Sequence, residues 1–337
     1  YFSQTYREKR LIFLFFIPFV CFSQNISYDE GDKLKNDLGI NVGVITYSFR
    51  NMPDQSPLAI LEYVKQSGIY NIELWGKHAE PFAGSPISPF DDPINRRVLS
   101  KQSRKIKLTD EEKKIVSKFR KEMKIYNEKV SQWRKSVSMT KFKELRKLYN
   151  EAGIKIYAFK PRVFEKDNTD DDIRYGMRAA KALGASHVTL EHPSDDEHTA
   201  RLGKIAEEED ILVGYHGHLQ QTPVFWDKAI SQSNSNQMNL DLGHYVAAEN
   251  PDPLGFIVDK HDKIISMHLK DRQKLSNGGL NLIWGKGDTP ITEVVQLIKK
   301  NGYDFYLTIE LEHDIPDGSD DLKEVKRCLA YIKKALE

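Results

Sequence analysis

The chain has 337 residues, of which 39% are hydrophobic, 29% charged and 10% aromatic. That balance excludes a disordered, collagen-like or multi-spanning membrane chain. Its 50 Lys and Arg stand against 49 Asp and Glu, a formal charge of +1, so no global positive field gathers nucleic acid and any recognition of charge is local.

At the N-terminus Arg7, Lys9 and Arg10 precede an apolar run over 11–22 that is too short to span a bilayer. A basic stretch, a short apolar stretch and then Ser23 and Gln24 have the form of a secretory signal peptide, expected over 1–24. Cys21 follows Phe19 and Val20, without the small residue a bacterial lipidation site places before its cysteine, so cleavage without a stable membrane anchor is expected. The expected location is the periplasm or the cell exterior. Removal of the leader leaves Cys328 as the one cysteine, which forbids an intramolecular disulfide.

Beyond a polar stretch over 25–36, short apolar β-branched runs alternate with helical patterns. Strands are expected at 42–49, 71–75, 155–160, 187–191, 212–216, 238–241, 264–268 and 306–310. Between them Ser56 and Pro57 open a helix that stops at Gly68, and helical patterns over 140–152 and 169–183 stop at Gly153 and Gly184. Ser194 with Glu197 reads as a capping box. Thr222-Pro223 and Thr289-Pro290 read as helix starts, and 250–261 and 319–336 complete the set. Strict alternation of eight strand–helix units specifies an α/β fold with a parallel sheet closing as a (β/α)8 TIM barrel over 38–337. An open doubly wound sheet is the alternative, but no G-x-G-x-x-G follows the first strand.

One unit is abnormal. An insertion over 77–137 follows the second strand, first Pro/Gly-rich, then helical from Thr109, with Glu112 completing a capping box. Val116, Phe119, Met123, Tyr126, Val130, Trp133 and Val137 alternate spacings of three and four, a stripe that needs an apolar surface. It is expected to cover the chain's own barrel, with a homodimer contact as the alternative. The basic residues between Arg96 and Lys107 lack interleaved aromatics and read as a solvated face, with no nucleic-acid partner.

Barrel enzymes carry their reactive residues at the C-terminal ends of strands. Here those ends are Glu73, Lys160, Glu191, His216 with His218, Asp241, His268 and Glu310. Converging carboxylates repel unless a cation sits among them. Glu191, Asp241, His268 and Glu310 suit one divalent ion, Mn²⁺ first, with Co²⁺, Mg²⁺ or Zn²⁺ as the others.

The segments NLDLGH (239–244), SMHLKDR (266–272) and YLTIELEH (306–313) resemble the sixth, seventh and eighth strands of the xylose isomerase-like barrel superfamily, whose members are commonly labelled sugar phosphate isomerases/epimerases. GVITYSFR (43–50) resembles its first strand, and GYHGH (214–218) the fifth-strand Tyr-His-Asn-His of one large subgroup. The resemblance implies one metal held by Glu, Asp, His and Glu, carried here onto Glu191, Asp241, His268 and Glu310. The family's first Glu commonly comes from the fifth strand, where this chain has His216. So either Glu191 is the ligand and His216 the acid/base, or the roles are exchanged, and Glu191 is taken as the ligand.

A metal chelated by a sugar carbonyl and an adjacent hydroxyl stabilises an enediolate, and flanking groups then move the proton. The outcome is isomerisation, epimerisation or elimination. Glu310, His216 and Glu191 are the acid/base candidates. Lys160, His218, Lys270, Arg272, Trp75 and Trp284 are the candidates for holding substrate, together with His244, which with Asp271 also reads as an orienter. Trp226 and Phe82 are further stacking candidates. The loop WGKGD (284–288) reads either as an anion cradle or as a capped turn. Export argues against a phosphorylated substrate, so an unphosphorylated keto-sugar or 3-keto-glycoside is expected. A non-catalytic sugar-binding module on a degenerate barrel is the second reading. A metallonuclease resembling AP endonuclease is disfavoured by ten scattered His and near-neutral charge.

Overall fold

The computed structural model describes residues 29–337; the expected signal peptide lies outside the described residues. Ten strands follow in chain order: β1 (Asn41–Ile45), β2 (Asn71–Trp75), β3 (Lys155–Lys160), β4 (His187–Glu191), β5 (Leu212–His216), β6 (Asn236–Asp241), β7 (Ile264–Leu269), β8 (Asp271–Arg272), β9 (Asn281–Leu282) and β10 (Tyr306–Ile309). Eight of them, β1 to β7 and β10, close a parallel barrel in sequence order, with β10 pairing β1. β8 and β9 form a short antiparallel ribbon on the rim after β7. The protein is therefore an α/β TIM barrel.

Local chemistry explains the helices that cover it. Ser56 accepts the Ala59 N–H ahead of Pro57–Ser67, and Gly68 stops that helix at φ 77°. Thr169 and Asp172 cap Asp170–Leu183 reciprocally, with Gly184 at φ 82° beyond. Several expected starts move, among them those at Ser194 and Thr222. Ser194 takes a positive φ of 52°, so Asp195, one residue on, caps Asp196–Glu209. Thr222-Pro223 opens a turn, and the helix runs only over Asp227–Gln232, led by Trp226 without a side-chain cap. No helix among the described residues is long and apolar enough to cross a membrane.

Between β2 and β3 the chain adds helices Pro93–Ser103 and Asp110–Ser136, the second opened by the Thr109–Glu112 capping box. Of its apolar stripe, Val116, Phe119 and Val130 are buried. Trp133 packs edge-on to Tyr175 of Asp170–Leu183 and donates from Nε1 to the Ala83 carbonyl at 3.3 Å, while Arg134 reaches Asp172 at 3.5 Å. The C-terminal half of the stripe thus lies on the chain's own barrel helix.

Inside the barrel an apolar floor carries a polar upper tier. Tyr157 stacks on Tyr306 with centroids 3.9 Å apart and bonds to Thr308 Oγ1 at 2.7 Å. Gly43 makes room for it, because a Cβ there would lie 2.7 Å from the Tyr157 ring. Above this floor the strand ends turn ionisable.

Candidate metal centre and active site

Strand register sets the tier. Asp241 on β6 faces His268 on β7, and His268 faces Thr308 on β10, two residues before Glu310. His216 on β5 faces Asn239, two residues before Asp241. Because strand side chains repeat with period two, these residues share the interior face. His216, Asp241, His268 and Glu310 are all buried and present donor atoms within 4.8 Å of one another.

Each imidazole is held by its other nitrogen. His268 Nε2 lies 2.7 Å from Glu73 Oε2, and His268 Nδ1 lies 2.9 Å from Glu310 Oε2. Glu73 Oε1 also accepts the Thr189 hydroxyl at 2.5 Å. His216 Nδ1 bonds Asn239 Oδ1 at 2.7 Å, leaving Nε2 3.8 Å from Asp241 Oδ2. Lys270, just past β7, places Nζ 2.9 Å from Asp241 Oδ2, 2.6 Å from Glu310 Oε2 and 2.7 Å from Glu312 Oε2.

The electrostatics follow from burial and these pairings. Burial opposes the charge of His268, but the Glu73 and Glu310 carboxylates outweigh it and raise its pKa to about 10. Burial likewise opposes ionisation of Glu310, yet Lys270 and His268 hold it well below the usual carboxylate range. Glu73 is held down by His268 and Lys160 against the same desolvation. Asp241 goes the other way: burial raises it despite Lys270. His216 is driven well below its ordinary value by burial and then by Lys160 and His268, so it is neutral.

The donor set fits a divalent cation. Two carboxylates and two imidazoles converge, and the set already draws one cation, Lys270. Asp241 Oδ2 is buried and makes no hydrogen bond, since its ion pair with Lys270 lacks the geometry of one. The carboxylate behind His268 and the amide behind His216 are the outer partners that metal-binding imidazoles use. This grouping differs from the expected one. Glu191 is half-exposed on the lip, paired with Lys160 at 3.0 Å and His218 at 3.5 Å, and His216 completes the inner four.

The other expected residues divide between the mouth and the frame. Lys160, His218 and Glu191 form one side of the opening, and the His218 and His244 rings lie 4.6 Å apart. Arg272 donates from Nη1 to His244 Nδ1 and from Nη2 to the Gly279 carbonyl, both at 2.5 Å. Trp75 is half-buried, edge-on to Tyr47 with centroids 5.2 Å apart, near the strand ends. Trp284 is not at the mouth: it is buried edge-on against Tyr331 of Asp321–Ala335. Trp226 is a core residue that donates to the Tyr215 carbonyl at 2.7 Å, and Phe82 packs against the core.

The 284–288 loop is a capped turn. Asp271 Oδ2 accepts the N–H groups of Gly285, Lys286 and Gly287 at 2.7, 3.0 and 2.9 Å, and its Oδ1 takes that of Thr289 at 3.2 Å. An internal carboxylate thus occupies the amides that an external anion would need. Glu73, Asn239 and Glu312 also serve this site, beyond the residues expected from sequence. Glu73 was visible as a strand end and Glu312 as the second Glu of ELEH; Asn239 carried the period-two signal from Asp241.

Comparison with known proteins agrees with this architecture. The family model for the xylose isomerase-like TIM barrel matches residues 122–334. An inosose dehydratase of Clostridium tetani is 27% identical over 154 residues, 40% of this chain and 51% of that protein. The chain spans about half the length of the curated relatives it matches. Among solved structures, 3-keto-D-glucoside 4-epimerase YcjR from E. coli, in its apo form, superposes with a TM-score of 0.55 at 11% identity, covering 88% of this chain and 99% of that one. The IolI protein with a bound zinc atom does so with a TM-score of 0.56 at 13% identity, covering 88% and 99%. With its closed eight-stranded parallel barrel and this match over more than half its length, the chain belongs to the xylose isomerase-like TIM barrel family.

Proposed function

We propose that this chain is a divalent-metal-dependent isomerase, epimerase or lyase acting on an unphosphorylated keto-sugar or 3-keto-glycoside. The observation that carries the reading is the convergence of His216, Asp241, His268 and Glu310 at the C-terminal end of the barrel. A dehydratase among the relatives and a keto-glucoside epimerase among the structural neighbours support the class. The zinc in a third neighbour supports a metal.

Those four residues would hold the ion, which when bound supplies Lewis-acid stabilisation of the oxyanion developing as a proton leaves carbon next to a carbonyl. The chain's own residues do the rest. Glu191, half-exposed on the lip beside His218, is placed to take or return a proton at the mouth, and Lys160 orients its carboxylate from 3.0 Å. His218, half-exposed and 5.0 Å from the His216 ring, is the second proton-transfer group. Lys270 would reach a substrate oxygen on releasing one of its three carboxylates, Arg272 keeps an unpartnered Nε, and Trp75 with Tyr47 offers an aromatic edge to a sugar ring. Barrel enzymes often bind phosphate at the loops after the seventh and eighth strands. Here Asp271 fills the amides after the seventh, which supports an unphosphorylated substrate. A leader over 1–24 and a periplasmic or secreted location are part of the same proposal.

Glu310→Gln tests the assignment. Turnover of a keto-sugar or 3-keto-glycoside is expected to vanish while the circular dichroism spectrum and the cooperative melt persist; retained turnover would remove Glu310 from the site. Deuterium entering a bound sugar from D₂O is expected with the wild type. Sugar binding without exchange would support the binding-module reading instead.

A further inference from the structure

We infer that the metal centre of this chain is a two-imidazole, two-carboxylate site that favours a borderline ion, Zn²⁺ or Co²⁺, over the harder Mn²⁺ and Mg²⁺. The inference rests on the metal reading above and replaces the sequence expectation of Mn²⁺. It follows from a buried chain of hydrogen bonds whose direction fixes which nitrogen of His216 is bare.

That chain begins at a group that can only accept. The Ser186 hydroxyl lies 3.0 Å from the Tyr157 carbonyl and donates to it, so its oxygen accepts from His187 Nδ1 at 2.9 Å. His187 Nε2, left without a proton, accepts the Ser266 hydroxyl at 3.2 Å. Ser266 Oγ then accepts from Asn239 Nδ2 at 2.7 Å, which turns Asn239 Oδ1 toward His216 Nδ1 at 2.7 Å. Nδ1 of His216 must therefore carry the proton, and the lone pair of Nε2 faces Asp241 Oδ2 from 3.8 Å. Asn239 is a positioning residue in this scheme: it touches no substrate and sets the tautomer of one that touches the ion.

His268 is fixed independently. Glu73 accepts from Thr189 on one oxygen and from His268 Nε2 on the other, and a carboxylate has no proton to give, so His268 Nδ1 is the nitrogen turned to Glu310 and the set. His216 Nε2 thus presents a lone pair, and His268 Nδ1, which donates to the Glu310 carboxylate, would present one on giving up that proton to an ion. Asp241 and Glu310 contribute two negative charges, which one divalent ion neutralises. Imidazole suits Zn²⁺ and its borderline neighbours, whereas Mg²⁺ and Mn²⁺ are best served by carboxylate, carbonyl and water oxygens.

The test is a chelator-competition titration of the full chain with Zn²⁺ and with Mn²⁺, in the wild type, His216→Glu and Asn239→Leu. Replacing the second imidazole by a carboxylate is expected to lower the Zn²⁺-to-Mn²⁺ affinity ratio at least tenfold. Asn239→Leu is expected to weaken Zn²⁺ by about 10–100-fold, the usual cost of losing an outer partner. Should either variant fail to fold, X-ray absorption on zinc-loaded wild type decides alone, with scattering from two imidazoles expected. One imidazole, or an unchanged ratio in His216→Glu, would overturn the inference while leaving a metal enzyme. A wild type that takes up neither ion would overturn the metal reading along with it.

Discussion

Glu73 lies 195 positions from His268 in the chain, yet its buried carboxylate takes both the His268 Nε2–H and the Thr189 hydroxyl. A carboxylate in that place orients the ring and makes its other nitrogen a stronger donor to a metal. Glu73→Gln keeps the size and one acceptor but removes the charge, and is expected to lower metal affinity by about 10–100-fold; unchanged affinity by chelator competition would show that the charge plays no part. This residue also marks what the sequence could convey. That Glu73, His216, Asp241, His268 and Glu310 end strands is legible from apolar runs that stop at an ionisable residue. Which carboxylate meets which imidazole is not, because barrel closure sets those distances. Glu191 and His216 are register partners on adjacent strands, and only the third dimension shows Glu191 at the lip and His216 inside.

At the scale of elements, the rim ribbon between β7 and the following helix is organised by one side chain. Asp271 gathers four amides, and Arg272 donates its own N–H to Thr289 Oγ1 at 3.0 Å. Removing a buried partner leaves donors unpaired at about 1–3 kcal/mol each, less whatever water recovers. Asp271→Ala should therefore lower the denaturation free energy by a few kcal/mol and expose the 284–288 amides to hydrogen exchange; exchange as slow as in wild type would refute this role. The helices themselves were readable wherever capping chemistry was local, as at Ser56, Thr109 and Thr169. They start elsewhere where a backbone twist intervenes, as at Ser194. Trp284 departs from expectation for a related reason: a tryptophan in a strand-end loop turns inward or outward according to its neighbours, here Tyr331 of the last helix.

Across the whole molecule, the barrel keeps several imidazoles neutral in its interior, and these link its stability to pH. His78 is buried with Nδ1 3.0 Å from Thr46 Oγ1 and Nε2 3.0 Å from Gln55 Oε1. Burial, helped by Lys77, lowers its pKa from 6.5 to about 3. The unfolded chain therefore binds the extra proton first. The contribution of His78 is complete above about pH 6.5 and is lost as pH falls toward 3, at about 1.4 kcal/mol per pH unit. Tm is expected to fall between pH 6.5 and 4, and His78→Gln should flatten that decline by one proton's share. An identical slope in the variant would place the proton uptake elsewhere.

His216, Asp241, His268 and Glu310 are proposed to hold one divalent ion at the barrel mouth. The most direct measurement is the metal content of the purified full chain by mass spectrometry, beside His268→Ala checked for a native circular dichroism spectrum. About one ion per chain, lost in the variant, is the expected result for a single site built on this imidazole. A wild type that arrives without metal and cannot be loaded with Zn²⁺, Co²⁺ or Mn²⁺ would show that these four residues hold no ion.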